Sequence, residues 1–412
     1  MSSSSTGANA RGTRKGTIVV VSEFVTSVNS TGYYWSQIVE KLRTSFGGVR
    51  VWTSQSIDEV NKRWGSEKTV RTATVLNPWH GEKALLPRIL GEMYLAASFF
   101  VRLMLSVGKH DVVVSGTNPA LLIPVIALLQ KLRRFKWLLV VYDVFPENLG
   151  SAGLSRMPKT AGRLLKLVFD WAYRSATRVI VIGRDMEALV KQKGVSPGAL
   201  VVRPNWAAPS DSRCGDDNAN PARSISRNDQ TVNFQFFGNM GRVQGIETLL
   251  AAIDLVRAPN ASFEFIGAGA MAHLVKERAA RAEVHPITYL GPRPMSESSS
   301  ILSSCDVSIV SLADGMYGLG VPSKAYFALA ENKPLLVIAH PDSEIALMVK
   351  EHNIGWVCSP GDLQDIATTI DKICAGGLDD LEGGPLDVLN RHYSPEVALS
   401  SYVETINALK ID

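Results

Sequence analysis

Residues 233–250 read NFQFFGNMGRVQGIETLL. The run at 233–237 is short and rich in phenylalanine, as a strand can be. Glycines follow at once at 238, 241 and 245, and an apolar helical pattern starts at Ile246. This is a strand, a glycine turn and a helix in immediate succession. Glycines at such a turn let backbone amides approach an anion closely, and the helix adds its positive end there. Gly238, Asn239 and Gly241 are therefore candidate anion-binding positions. Arg242 adds a guanidinium able to pair with a phosphate through two hydrogen bonds. Glycine is also common at ordinary strand-to-helix turns, so this stretch alone leaves a purely structural turn open.

Working outward, the same unit repeats. After residue 231, strands are expected at 233–237, 263–266, 287–290, 307–310, 334–338 and 355–358. Before residue 207, strands are expected at 17–22, 112–115, 137–142 and 178–182, with a helix at 34–43 after the first. Residues 207–231 interrupt the alternation with Pro, Ser, Asn and Asp, and read as a linker or exposed loop. The fold class that follows is α/β, with two Rossmann-like doubly wound parallel sheets facing across a cleft. The expected map is a disordered tail at 1–16, a first domain at 17–206, a linker at 207–231, a second domain at 232–390, and a C-terminal helix at 391–412 that returns to the first domain. A length of 412 residues accommodates two domains.

Charge divides along the same line. Residues 1–200 carry 27 Lys and Arg against 13 Asp and Glu, and the remainder carries 16 against 26. A basic half joined to an acidic half points the first domain toward something anionic, a nucleic acid or a membrane surface, unless the charge merely drifts between domains. The four cysteines, Cys214, Cys305, Cys358 and Cys374, form no CxxC pair and no zinc spacing. They read as incidental thiols of a reduced, cytosolic protein. The tail has no apolar core of the kind a secretory signal needs. No uninterrupted apolar run reaches the ~18 residues of a membrane span, the nearest, at 94–107, being broken by Arg102.

Three further stretches carry chemistry. Residues 318–324 read GLGVPSK and open a helix, so Gly318, Leu319, Gly320 and Val321 offer backbone amides, while Ser323 and Lys324 offer a hydroxyl and an ammonium. That set suits a diphosphate or an array of sugar hydroxyls. Residues 267–272 read GAGAMA after a strand, which has the form of a dinucleotide fingerprint. The next strand ends in Gly291-Pro292-Arg293 rather than in the acid that would hold a ribose, so a dehydrogenase is disfavoured. Residues 142–147 read YDVFPE at a strand end, making Asp143 and Glu147 candidates for acid–base work, or a helix cap and a solvent-facing glutamate.

Taken together, GNMGRVQG at 238–245, VPSKAYFALAENKP at 321–334, DVFPE at 143–147 and RPNW at 203–206 resemble the retaining family-four glycosyltransferases of GT-B fold. The branch that builds bacterial surface polysaccharides and amino-sugar linkages is the nearest likeness. The resemblance covers roughly residues 17–406. It implies a nucleotide-sugar donor, UDP- or GDP-linked, held mainly by the second domain, with the acceptor held by the first. It implies a diphosphate role for Arg242 with Lys324 beside it, and contacts from Gly318–Val321 to sugar or phosphate. Gly267, Gly269 and Arg293 would surround the base, Asn29 and Gly32 would lie against the phosphates, and Asp143 would line the acceptor side. The chain departs from the family where two glutamates and a lysine are usual. Leu319 and Phe327 stand at the glutamate positions and Gln244 at the lysine position, which touches the ribose grip and one phosphate charge. No DxD metal motif follows a strand, since Asp216-Asp217 lie in the linker, so neither a cofactor nor a metal is expected.

Lys83, Arg88, Arg102 and Lys109 run along an apolar stretch at 85–107. Lys131, Arg133, Arg134 and Lys136 lie beside Trp137. Arg156, Lys159, Arg163 and Lys166 stand among Leu164, Leu165, Leu167, Val168 and Phe169. Basic amphipathic stretches of this kind read as an interfacial membrane surface, or as core helices with a solvated basic rim. No nucleic-acid motif accompanies the charge. The expectation is a peripheral enzyme at the inner face of a membrane, using a nucleotide-sugar donor and a lipid-linked or glycan acceptor. The competing readings are a nucleotide-sugar binder without turnover and a sugar-nucleotide epimerase.

Overall fold

The computed structural model describes residues 16–65, 69–76, 85–149, 158–209, 231–281 and 285–411. Most of the expected tail and linker lies outside these residues, as do Lys83, Arg156, Cys214, Asp216-Asp217 and the side chain of Arg88.

The first sheet comprises β1 (Ile18–Val21), β2 (Val49–Thr53), β3 (Val70–Thr74), β4 (Val112–Ser115), β5 (Lys136–Val141), β6 (Arg178–Val181) and β7 (Leu200–Val202). Its order is β3-β2-β1-β4-β5-β6-β7, with every pair parallel. The second comprises β8 (Val232–Phe237), β9 (Ala261–Ile266), β10 (Ile287–Gly291), β11 (Val307–Ser311), β12 (Leu335–Ile338) and β13 (Gly355–Cys358). Its order is β10-β9-β8-β11-β12-β13, again all parallel. In each sheet the strand order reverses beside the first strand, between β1 and β4 and between β8 and β11. Ligands of such sheets bind in the crevice at the carboxyl ends of the strands, where the order reverses.

The central strands are the ones legible as apolar runs. β1 and β4 are buried at every residue. β2 (VRVWT) and β3 (VRTAT) alternate apolar with polar or small residues, because they lie toward the edge and one face reaches solvent. They were not expected, and neither was the three-residue β7.

The last helix, Pro395–Ile411, buries Ala398, Leu399, Tyr402, Ile406 and Leu409 in one cluster with β1, β4 and the helix Ser30–Phe46. Trp206, fully buried, joins them, with its ring 4.9 Å from Tyr34 and 5.8 Å from Tyr402. The chain end is therefore packed on the first sheet. The energy behind that packing is apolar burial, and truncating a buried Trp to Ala costs about 3–5 kcal/mol.

The helix Leu85–Ser106 is long and apolar enough to cross a membrane, by length and composition alone. The single Arg102 that ended the sequence count donates to the Thr74 carbonyl instead of breaking the helix. Leu95, Phe99 and Leu103 on this helix are buried in the first core.

Candidate active site

The loops after β8 and β9 are joined backbone to backbone. The Met240 N–H donates to the Ala268 carbonyl (2.8 Å), and the Met271 N–H donates to the Met240 carbonyl (2.9 Å). This close approach dictates the glycines. A Cβ on Gly267 would fall 1.8 Å from the Gly238 carbonyl oxygen, and one on Gly269 would fall 2.4 Å from that of Met240. Gly267 still faces the cleft, whereas Gly269 serves the loop packing.

Lys324 begins the helix Lys324–Ala330, directly across from Gly238. Its ammonium donates to Gln244 Oε1 at 2.7 Å and lies 3.6 Å from the centroid of the Phe236 ring. Among the described residues it has no carboxylate partner. Burial alone pushes its pKa from the ordinary lysine value down to about 7. A desolvated, uncompensated cation of this kind favours an anion beside it.

A cavity of about 440 Å³ opens in front of this lysine. Asn29, Gly238, Asn239, Gly267, Arg293, Val321, Ser323 and Lys324 line it, together with Gln244 and Phe327. It brings both domains together, since Asn29 and Ser30 belong to the first sheet's crevice and the rest to the second's. Asn29 caps the seventeen-residue helix Ser30–Phe46, and its side chain accepts from the Gly32 N–H at 2.8 Å. The positive end of that helix thus points at the cavity. Phe327 forms part of the opposite wall, with its ring 5.2 Å from Tyr33 across the domain boundary. No carboxylate lines this cavity among the described residues.

A second cavity of about 170 Å³ continues from the first, sharing Ser30, Gln244, Val321, Pro322 and Ser323. It reaches Asp143 and Gly320. Asp143 follows β5, and its Oδ1 accepts from Asn148 Nδ2 at 3.0 Å. Burial raises its pKa to about 6, with the Asn148 hydrogen bond pulling the other way. The same cavity is lined by Asn205 and Tyr34, whose amide and phenol oxygens are buried and find no partner among the described residues. Buried polar groups are ordinarily satisfied, so these two are free to meet a polar ligand.

Several expected site residues stand elsewhere. Arg242 opens a short 3₁₀ turn with its side chain in solvent and lines neither cavity; the nearby lining positions are Asn239 and Gln244. Gly241 likewise stays outside. Glu147 is not a free acid. Its carboxylate accepts from the buried Lys193 ammonium at 2.6 Å and from Lys166 at 3.2 Å, in a cluster completed by Asp170. The Gly32 amide is consumed by the Asn29 cap, and Gly32 itself is required because a Cβ would meet the Thr26 carbonyl at 1.9 Å. The Gly318 N–H donates to Asp185 Oδ2 at 3.3 Å, and the Leu319 carbonyl accepts from the Val144 N–H at 3.0 Å. Those two residues tie the loop to the first domain and line neither cavity. Sequence reasoning gave no role to Tyr34, Asn148 and Asn205. Asn205 lies inside the RPNW motif and Asn148 directly follows DVFPE, so their neighbours carried the only signal.

Two parallel α/β units with a polar, cation-bearing cavity between their strand ends define the GT-B glycosyltransferase architecture. Residues 31–206 match the model of the glycosyl transferase 4-like domain, and residues 231–375 match that of the glycosyl transferases group 1. WbjE of Pseudomonas aeruginosa, assigned as a glycosyltransferase, is 41% identical over 393 residues, spanning 95% of this chain and 98% of that one. WcaI of Escherichia coli K12, assigned to colanic acid biosynthesis, is 22% identical over 76% of this chain and 81% of its own. The crystal structure of HepE from Anabaena with UDP and glucose superposes with a TM-score of 0.66 at 13% identity, covering 95% of this chain and all of that one. The chain belongs to the group 1 glycosyltransferases, the family-four enzymes related to those of polysaccharide biosynthesis.

Proposed function

We propose that the enzyme transfers a hexose or an N-acetylhexosamine from a UDP- or GDP-linked donor to a lipid-linked glycan, with retention of anomeric configuration. The observation that carries this reading is Lys324, a half-buried cation without a carboxylate partner among the described residues, at the wall of the larger cavity. A donor diphosphate supplies the missing negative charge. In transfer, the bond from the anomeric carbon to the phosphate oxygen breaks and a bond to the acceptor oxygen forms. Lys324 and the start of the helix Ser30–Phe46 stabilise the leaving diphosphate. The nucleoside lies toward Gly267 and Arg293, and the sugar toward the smaller cavity. Asp143, ionised above about pH 6, orients the acceptor hydroxyl and receives its proton. In this reading the positive charge comes from the protein, and no metal is called for.

The acceptor's lipid anchor has a counterpart on the first domain. The helices Leu85–Ser106, Leu122–Arg133 and Lys159–Ser175 pack side by side. They expose Met93, Val101 and Leu105, then Leu128 and Leu132, then Leu164 and Leu167; Leu105 is 81% exposed. Lys131, Arg133, Arg134, Lys159 and Arg163 lie in solvent along the same helices. Apolar side chains flanked by cations suit an anionic bilayer surface. On this basis the enzyme works as a peripheral protein at the cytoplasmic face of a membrane.

A thermal-shift panel of UDP, GDP, ADP and NAD with their sugar conjugates tests the donor. A ligand at a hundred times its Kd stabilises by about 2.7 kcal/mol. A shift with one nucleoside diphosphate, lost in Lys324→Ala, supports the reading, and a shift with NAD alone overturns it. Proton NMR of the product's anomeric signal tests retention. One second reading has an observation in its favour. The larger cavity has Phe327 where the family places a glutamate, which suits a protein that binds a nucleotide sugar without turning it over. Binding without any donor breakdown would favour it.

A further inference from the structure

The helices Arg184–Gln192 in the first domain and Glu344–His352 in the second meet end to end at the domain boundary. Neither is capped by its own side chain. Their N-cap residues are Gly183 and Ser343, and the Ser343 hydroxyl finds no partner among the described residues. The first helix takes its cap from the second domain. Glu344 Oε2 accepts from the Arg184 N–H at 2.8 Å, at the start of the first helix. The Glu344 amide lies near the Asp185 carboxylate in turn, and Asp185 Oδ1 accepts from the Met186 N–H of its own helix at 3.0 Å. The Arg184 guanidinium closes the exchange, donating to both Glu344 oxygens at 2.9 and 3.2 Å and to Glu351 at 2.6 Å. Glu344 and Asp185 are both buried. Gly183 allows this proximity, because a Cβ there would lie 2.8 Å from Val321 Cγ2 and 3.1 Å from Glu344 Cβ.

The same Asp185 carboxylate accepts from the Gly318 N–H. The next two residues of that loop are tied to the end of β5, Leu319 through the Val144 N–H and Gly320 through a bridge to Asp143. Gly320 and Val321 then form the wall of the smaller cavity. A helix start left without a cap exposes unpaired amides, so opening the domains would remove the cap of the first helix and free the loop held by Asp185.

We propose that Arg184, Asp185 and Glu344 form a cross-domain clasp that exists only while the domains are closed, and that it positions the Gly318–Val321 loop against Asp143 for transfer. These are positioning residues and touch no substrate. The activity arm of the test rests on the transferase reading, and the exchange arm does not.

Hydrogen–deuterium exchange of peptides covering 314–323 and 342–348 is compared between wild type, Asp185→Ala and Asp185→Asn, with a β9 peptide as the folding control. Asp185→Ala is expected to speed exchange of both peptides by tenfold or more while β9 is unchanged. Asp185→Asn is expected to restore most of the protection. In parallel, UDP affinity and the kcat for release of UDP from UDP-glucose by water are measured. The positioning role predicts UDP affinity within threefold of wild type and kcat lowered at least tenfold. Because an alanine at a buried site can unfold the protein, Arg184→Lys and Glu351→Gln serve as milder variants, with the same split expected at smaller amplitude. Unchanged exchange at 314–323 in a folded Asp185→Ala protein overturns the proposal, as does a loss of UDP affinity that matches the loss of kcat. Wild type that fails to bind UDP or to release it from UDP-glucose counts against the donor reading, and the exchange result then decides the clasp alone.

Discussion

Raising the pH from 6 to 8.5 is predicted to weaken nucleotide-sugar binding by about 30-fold, through Lys324. Its ammonium is desolvated between the Phe236 ring and Gln244, so the free enzyme loses that proton near pH 7. A bound diphosphate would favour the charged form and raise the pKa again, so binding takes up a proton wherever the free lysine is neutral. The sign follows directly. Affinity is complete below about pH 7 and falls toward tenfold per unit above it, until the pKa of the complex is reached. With a free-enzyme pKa of about 7 and a complex pKa near the ordinary lysine value of about 10.4, the ratio between pH 6 and 8.5 is about 30, or about 2 kcal/mol. A nucleotide sugar is the proper probe, because its diphosphate stays ionised throughout this range. Isothermal titration in buffers of different ionisation enthalpy measures the affinity and the proton count together. Uptake approaching one proton at pH 8, abolished in Lys324→Met, is the predicted result. An affinity that stays flat from pH 6 to 8.5, with no proton uptake, would refute the argument that this lysine faces the phosphates.

The remaining predictions concern other parts of the molecule. Asp143→Asn is expected to lower kcat/KM by 10²–10⁴-fold, the usual range for a general base. In wild type kcat/KM is expected to rise through about pH 6 as Asp143 ionises; a steady-state profile with no acid limb near that value would contradict the role. Glu147→Gln is expected to cost about 1–3 kcal/mol of stability by weakening its hold on the buried Lys193, with kcat close to wild type. Chemical denaturation and initial rates separate those effects, and a catalytic collapse without loss of stability would return Glu147 to the site. Replacing Leu105, Leu164 and Leu167 together by serine is expected to abolish co-sedimentation with vesicles containing anionic phospholipid while donor binding persists. Undiminished sedimentation would remove this face from the membrane reading. Excess chelator is expected to leave donor affinity within twofold, as read by the same titration.

The parts of the fold legible in the sequence were those where burial is uniform. Valine-rich β1 and β4 and aromatic β8 lie in sheet centres, so apolar residues dominate them and the strand announces itself. β2 and β3 hide their period behind Arg50 and Arg71, which the margin of the sheet accommodates. In the site, glycines marked the loops correctly but not their reasons. Gly267 and Gly269 are demanded by backbone contact with Gly238 and Met240, which only the tertiary structure brings together. Arg242 reads as a phosphate ligand because it follows two glycines, and it opens a 3₁₀ turn with its side chain in solvent. Lys324, some eighty residues later, lies against Gln244 instead. Glu147 read as a site acid because Lys193 and Asp170, its partners, are distant in sequence. The cross-domain cap was invisible for the same reason, since Arg184 and Glu344 are distant in sequence.

The most direct test of the donor site is a titration of UDP into wild type, Lys324→Ala and Arg242→Ala at pH 6.5. The account predicts binding to wild type, loss of at least tenfold in Lys324→Ala, and a change of less than threefold in Arg242→Ala. Full affinity in Lys324→Ala together with loss in Arg242→Ala would contradict it and move the diphosphate out of the cavity described above.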